Sequence, residues 1–395
     1  MIIVKRLLFL AFSLTISLLS WSSSDEVHFD DDSVEVSLLT CSPHNEVYSV
    51  FGHTALRYHD LRTGEDWAFN YGVFDFRKPL FGLRFTFGIT DYELGVVPFH
   101  IFKTEYAKRG SYVVEQVLNL SSEEKKKFYK ALQDNYRPEN RIYRYNCLYD
   151  NCTTRARDMI ERSIIDDKIE YRDGTGPQAD QMHGITYRKL LHERTGNHRW
   201  ITFGNDICLG LGADREIGWR ERQFLPSQLM ESFQDAIVVG SNKGTRPLVV
   251  NNRYAVEPGV RFVEDGFPLT PFQCFALLLV AAIVILSVEL YRGKTFVVFD
   301  LLLMALTGTA GILVAALFFS QHPTTSTNLQ ILILNPLPFF FMANVARRRK
   351  TRYWKIVALT TAIFLFGSIL QDYAEGMELL ALTLLTRVWM NRNCN

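Results

Sequence analysis

The stretch Tyr149–Ile160, YDNCTTRARDMI, sets one thiol, Cys152, just ahead of a helical pattern. Ala156, Met159, Ile160 and, beyond the stretch, Ile164 recur at helical spacing, while Arg155, Arg157, Asp158 and Glu161 fall largely outward. A thiol at the first turn of a helix meets unpaired backbone N–H groups and the positive end of the helix dipole. Both favour the thiolate. The N–H groups of Cys152 and Thr153 are the expected receivers of an oxyanion. Three fates stand open for the thiol: a nucleophile, half of a disulfide, or a small apolar residue in a core.

A nucleophilic thiol needs a base, and histidine is the usual one. The best context among the histidines is VFGHTALRY, Val50–Tyr58. His53 follows Gly52, where backbone can approach closely, and opens an alternating strand. The turn LRTGED, Leu61–Asp66, and the return DWAFNYG, Asp66–Gly72, make a hairpin from His53 to Gly72. The return strand offers Asn70 as the group that orients the imidazole, ahead of Glu65 or Asp66. A His at a strand end opposite a Cys at a helix start is the arrangement of papain-like thiol enzymes.

Elsewhere in this region, Val34–Thr40 and SYVVEQVLNL, Ser111–Leu120, read as strands. A capping box, Ser121 with Glu124, opens a helix in SSEEKKKFYKALQDNY. TYRKLLHERT and PSQLMESF read as helices, and the rest of residues 166–267 is unassigned. KPLFGLRFTFG, Lys78–Gly88, mixes aromatics with Lys78 and Arg84. It suits either a segment dipping into a membrane interface and meeting a lipid headgroup, or an ordinary core hairpin.

The chain around these segments changes character along its length. Lys5 and Arg6, the apolar run LLFLAFSLTISLL and the small residues SWSSS have the layout of a secretory signal over residues 1–24; an uncleaved anchor is the alternative. Residues 25–268 are polar and mixed, an exported domain. Residues 269–395 are apolar, with spans read at about 271–291, 295–319, 328–346, 353–370 and 377–390, against the requirement of about 20 residues to cross a bilayer. The prolines of NPLP, Asn335–Pro338, are expected to kink the third. Arg292, Lys294, the run RRRKTR and Arg392 lie in one set of connections, whereas SQHPTTSTN and QDYAEG hold no Lys or Arg. Positive loops stay in the cytoplasm. The expected topology is an exported domain in the periplasm, a multi-pass region in the inner (cytoplasmic) membrane and a cytoplasmic C-terminus. Glu289, Asp300 and Arg387 fall near cytoplasmic span ends and are expected to snorkel.

Net charge is +1, so nothing draws the chain to nucleic acid. Cys41, Cys147, Cys152 and Cys208 belong to the exported part, where disulfides form, and Cys147 lies close enough to bridge to Cys152. No Cys-x-x-Cys or His-x-x-x-His suggests zinc, and no Gly-x-Ser-x-Gly elbow or P-loop is present. No metal or cofactor is expected.

SLLTCSPHNEVYSVFGHTALRYHD (Ser37–Asp60), FNYGVFDF (Phe69–Phe76) and YNCLYDNCTTRARDMI (Tyr145–Ile160), in this order, resemble the periplasmic domain of the Lnb-type lipoprotein N-acyltransferases. The five apolar segments resemble that family's membrane region, so the likeness spans nearly all of the mature chain. The soluble part also resembles circularly permuted NlpC/papain-like enzymes, in which, as in lecithin:retinol acyltransferase, the His strand precedes the Cys helix. The implied fold class is α+β: a permuted papain-like (NlpC-type) exported domain followed by an all-α, five-helix transmembrane region. The implied reaction moves an acyl chain from a membrane phospholipid, through a thioester on Cys152 with His53 as base, to the α-amino group of a diacylated lipoprotein acceptor. Tyr71, Arg84 and Arg155 are expected near the lipid substrates. The competing classes are a membrane-anchored thiol hydrolase, acting on lipid esters or peptidoglycan, and a non-catalytic binding module with Cys152 in a disulfide.

Overall fold

The computed structural model describes residues 33–44, 46, 49–171, 184–196, 198–240, 244–260 and 266–393. The expected signal segment, residues 1–24, lies outside them.

The N-terminal domain is mixed α/β. Strands β1 (Val34–Cys41), β2 (His53–Asp60), β3 (Glu65–Val73), β4 (Asp91–Pro98), β5 (Val113–Leu118) and β6 (Ile142–Arg144) join a late strand, Val249–Val256, in a seven-stranded antiparallel sheet. Strands β7 (Asp167–Glu170), β8 (Ile237–Gly240) and β9 (Gly244–Pro247) form a small separate sheet, so the late strand is β10. The large sheet runs β10-β5-β1-β2-β3-β4-β6. The β2–β3 hairpin forms where the sequence places it. Asp60 lies opposite Glu65, and the Asp60 carboxylate takes the N–H groups of Arg62 and Thr63 across the turn.

Side-chain alternation gives the sheet two buried faces. On one, Leu39, Cys41, Ala55, Ala68 and Val113 lie under Phe99, Phe102 and Tyr106. The short exposed helix α1 is Phe81–Thr86, and the covering helix α2 is Phe99–Lys108. On the other face, Leu38, Leu56, Tyr58 and Phe69 pack with Phe128, Leu132, Ala156 and Ile160 of α3 (Ser122–Tyr136) and α4 (Cys152–Ser163). The α3 capping box is complete, with Glu124 N–H on the Ser121 hydroxyl and Ser121 N–H on the Glu124 carboxylate.

The unassigned region has two structural roles. Helices α5 (Tyr187–Thr195) and α6 (Arg199–Cys208) turn toward the C-terminal half. After α7 (Trp219–Arg222), helix α8 (Pro226–Gln234) packs its Leu229 and Phe233 on the sheet, and β10 covers the edge of β5.

Beyond Thr270 the chain is helical: α9 (Pro271–Arg292), α10 (Val297–Phe318), α11 (Pro338–Ala346), α12 (Tyr353–Gly367) and α13 (Met377–Asn393). Among the described residues, α9 and α10 are the helices long and apolar enough to cross a membrane. The third expected span is broken rather than kinked. Leu329–Leu332 make a single 3₁₀ turn and helix resumes only at Pro338. Pro336 and Pro338 lack N–H donors, and Asn335 caps the gap: its amide donates to Ile331 and Leu332 carbonyls and its oxygen takes Leu337 N–H. This backbone lies directly on Gly311 of α10, where a Cβ would come within 2.3 Å of Asn335. Non-helical backbone in the apolar half is thereby shielded by protein.

A second correction concerns charge. Arg387, Glu289 and Asp300 do not snorkel. All three are fully buried, with Arg387 bidentate to Glu289 at 2.6 and 2.7 Å and bonded to Asp300 at 2.6 Å. Mutual pairing inside the bundle replaces solvent, which is the arrangement a buried charge requires.

The two halves interlock. Gly210 and Leu211 N–H groups donate to Thr324 and Thr327 carbonyls. Side-chain amides of Asn328, Gln330 and Gln371 donate to the Ile207, Asp206 and Leu209 carbonyls. The partners in the helical half belong to the connections on either side of α11–α12, which hold no Lys or Arg. On another connection, Arg348 of the basic run reaches the Thr295 carbonyl.

Candidate active site

Asn151, the residue before Cys152, decides the local geometry. It is the N-cap of α4, and its Oδ1 accepts both Thr153 and Thr154 N–H at 2.9 Å. Its Nδ2 donates to the Cys147 and Phe224 carbonyls. The cap therefore ties the start of α4 to its own loop and to the segment before α8. Thr153 N–H is thus engaged by Asn151 and does not point to an open oxyanion site, contrary to expectation. Cys152 is the first helical residue, so its N–H has no intrahelical acceptor.

His53 opens β2, with the Cys41 carbonyl in the space a Gly52 Cβ would fill. Its Nε2 lies 3.3 Å from Asn70 Oδ1, while Asn70 Nδ2 points back to the Ala68 carbonyl at 3.5 Å. That amide orientation turns the carbonyl oxygen toward the ring. Nδ1 is then the nitrogen left for the thiol, and the imidazole and the Cys152 thiol are near enough that each shifts the other's titration. The sulfur lies 3.8 Å from the Thr153 hydroxyl. Next to the pair, the Thr54 and Thr153 hydroxyls bond at 3.0 Å.

Burial works against charge on both groups, yet each is displaced toward its charged form. Burial alone would raise the Cys152 thiol; the His53 imidazole beside it, with the Thr54 N–H, brings it below the ordinary thiol range. Burial would likewise lower His53, but the neighbouring thiolate and Asn70 raise it above the usual imidazole value. The arrangement can hold a thiolate–imidazolium pair. By contrast, Cys41, buried under Tyr106, is pushed up to about 12 and is inert as a nucleophile.

Cys41, Cys147, Cys152 and Cys208 are all free thiols, so the pairing of Cys147 with Cys152 is not present. Residues 146–150 instead form a closed turn in which Asn146 and Asp150 exchange backbone bonds. No group of three or more His, Cys, Asp or Glu suited to a metal occurs among the described residues.

Comparison with known families follows the same two-part division. The Lnb N-terminal periplasmic domain matches residues 24–193, and the Lnb transmembrane domain matches residues 263–394. The chain belongs to the Lnb-type lipoprotein N-acyltransferase family. It is a membrane protein with a periplasmic N-terminal domain. No curated protein and no solved structure matches it.

In this Lnb-family chain the three residues expected near the lipid substrates have different settings. Tyr71 is fully buried and its hydroxyl donates to Asn135 at 2.6 Å, within the core. Arg84 is on the exposed α1 helix but bonds to Asp91 and the Ile89 carbonyl. Arg155 pairs with Asp150 at 2.6 and 2.8 Å and lies flat on the Tyr143 ring at 3.6 Å, supporting the site rather than facing solvent.

Two contributors were missed in the sequence. His322, in the connection after α10, receives Asn146 Nδ2–H at Nδ1, 3.3 Å away, and sets its ring against Phe85 with centroids 6.0 Å apart. It links the loop before Cys152 to α1. Tyr143, on the three-residue strand β6, lies beside the thiol. An isolated His in a polar loop and a Tyr in a very short strand carry no periodic signal. Asn151, by contrast, had one: Asn just before a helical pattern is an N-cap signature.

Proposed function

We propose that the chain is a lipoprotein N-acyltransferase acting through an acyl thioester on Cys152. The observation that carries this reading is His53 held between the Cys152 thiol and Asn70 Oδ1, at the junction of a periplasmic domain and a membrane domain. The domain is read as a permuted papain-like thiol fold because the His strand comes before the Cys helix in a single antiparallel sheet.

In the first half-reaction the Cys152 thiolate attacks the acyl-ester carbonyl of a phospholipid. The S–C bond forms and the carbonyl electrons move to oxygen. Collapse expels the lysophospholipid alkoxide, which takes its proton from the His53 imidazolium. In the second half, the free α-amine of the diacylated lipoprotein attacks the thioester, His53 accepts the amine proton, and the thiolate leaves. One difficult transfer becomes two easier ones. Asn70 keeps the ring aligned through both steps.

Lipid substrates explain the architecture. Their chains leave a bilayer at about 0.8 kcal/mol per CH₂, so the thiol has to come to the membrane. Helix α1 supports this reading. It buries no residue, and Phe76, Leu80, Leu83 and Phe85 on and beside it are exposed. It is fastened to the end of α10, with Gln321 N–H on the Phe87 carbonyl and Phe85 against His322. An apolar helix joined to the end of a spanning helix fits the outer-leaflet interface, not a core hairpin. Rings in contact run from there toward the site: Phe85, Phe81, Phe74, Tyr92 and Tyr145. The thiol faces the periplasmic side of the inner membrane and the basic connections lie in the cytoplasm, with the C-terminus.

The experiment is reconstitution of the full chain in phospholipid vesicles, with and without a diacylated lipopeptide. A transferase releases lysophospholipid in proportion to acceptor, with the acyl group recovered as an amide. Release that ignores the acceptor identifies a lipid hydrolase and overturns the reading.

A further inference from the structure

The engagement of Thr153 N–H by Asn151 leaves the proposed oxyanion with one backbone donor, Cys152 N–H. Oxyanion sites ordinarily combine at least two donors. A second polar hydrogen is available close by. Tyr143 is only 7 % exposed, and its hydroxyl has no hydrogen-bond partner among the described residues. A buried hydroxyl without a partner is costly, so such a group in a native site needs a reason.

Its position supplies one. At Gly72, which has φ +91°, the place a Cβ would take is 3.8 Å from Cys152 Cβ and 3.9 Å from the Tyr143 hydroxyl. Glycine leaves a niche there that one small atom can fill, touching both the thiol-bearing residue and the phenol. The ring is held from every side the structure describes. The Arg155 guanidinium lies on it at 3.6 Å, and Arg155 is fixed by Asp150. Tyr71 meets it edge-on with centroids 6.2 Å apart. Backbone pairing sets Tyr143 opposite Tyr92. Tyr71 is not an alternative donor, because its hydroxyl is bound to Asn135.

We infer that Tyr143 is a further catalytic residue, whose hydroxyl donates to the carbonyl oxygen of the acyl ester in the niche between Gly72 and Cys152. As the S–C bond forms and the carbonyl electrons collect on oxygen, the Tyr143 O–H and Cys152 N–H share that charge. When the intermediate collapses, the carbonyl reforms and the phenol keeps its proton. The same oxygen returns to the niche when the amine attacks the thioester, so one phenol serves both half-reactions.

This inference rests on the acyl-Cys152 reading, and the test separates the two. Full-length protein in phospholipid vesicles is sampled without acceptor, and the rise of acyl-enzyme is followed by intact mass. The Tyr143→Phe variant is expected to acylate roughly a hundredfold more slowly, the effect of losing one oxyanion donor. Its alkylation by iodoacetamide, a reaction with no oxyanion, and its thermal unfolding should match the parent. Equal acylation rates in parent and variant overturn the assignment. A slow variant that also loses alkylation or unfolds early shows a structural role and overturns it too. If the parent itself forms no acyl-enzyme, the thioester reading fails and this inference falls with it.

Discussion

The Thr54 and Thr153 hydroxyls, on the residues that follow His53 and Cys152, are hydrogen-bonded at 3.0 Å in a buried setting. This contact joins the strand that carries His53 to the helix that carries Cys152, and so sets the register of the proposed base and nucleophile. Thr153→Val keeps the shape and removes the bond. It should cost about 1 kcal/mol of stability and roughly ten- to a hundredfold in acyl-enzyme formation, since small misplacements at a reacting centre are amplified. Thr153→Ser retains the bond and should retain most of the rate. Equal rates for the Val and Ser variants would remove the register argument.

A thiolate–imidazolium pair between Cys152 and His53 would have a pH signature. Cys152 is displaced below the ordinary thiol range by His53, and His53 above its own range by Cys152. Iodoacetamide should therefore modify Cys152 rapidly at neutral pH, with the rate falling as acid protonates the thiolate. In His53→Ala burial remains and the cation is gone, so the profile should move to alkaline pH. An unmoved profile would show that the imidazole does not activate the thiol.

Asn151 holds the first turn of α4 through two N–H groups and two carbonyls. Asn151→Ala should lower stability by about 1–2 kcal/mol, the upper part of the range for N-caps. It should also slow acylation by displacing Cys152. Asn151→Asp keeps the capping oxygen but turns a second, charged oxygen toward the Cys147 and Phe224 carbonyls and sets a negative charge beside the thiol, so it should recover neither the stability nor the rate. Unfolding and acylation assays on the two variants decide this.

His322 bridges Asn146 and Phe85 as a neutral imidazole, and burial holds its pKa below the usual value. Its acceptor nitrogen faces an N–H of Asn146, whose oxygen is already bound by Leu148 and Tyr149 N–H groups. Protonation would set donor against donor. A depressed His contributes stability that is present above the unfolded value and lost as pH falls through the folded one. Amide exchange over residues 146–152, corrected for intrinsic rates, should therefore increase on acidification below about pH 6.5. His322→Asn, which does not titrate, should remove that dependence.

Arg387 is surrounded by Glu289 and Asp300 with no solvent. Arg387→Met strands two carboxylates and should destabilise the helical half by about 3–5 kcal/mol. Adding Glu289→Gln and Asp300→Asn should restore much of it. Thermal unfolding in detergent compares the single and triple variants, and a single variant as stable as the parent would show that the cluster is not a structural pin.

The sequence made the centre of the site legible because its parts carry strong local signals. The hairpin from His53 to Gly72 has a marked turn and strict alternation, and the α4 pattern has a clear start. The capping box at Ser121 was equally visible. What it hid depends on distant partners. Thr153 N–H looked available until Asn151 took it. Arg387, Glu289 and Asp300 each looked like a span-end charge, because their meeting requires three helices separated in sequence. Pro336 and Pro338 announced a disturbance, but only packing on Gly311 shows that the backbone can stay open there. His322 and Tyr143 sit on a loop and a three-residue strand, which have no pattern to read.

The central claim, that this chain adds an acyl group to lipoprotein N-termini through Cys152, is tested most directly by the mass of lipoprotein N-terminal peptides from cells that depend on it. With the parent chain, the S-diacylglyceryl cysteine should carry a third acyl group on its α-nitrogen. With Cys152→Ser, inserted at equal level, the peptides should retain a free amine. Unchanged triacylation in the Cys152→Ser cells would contradict the account.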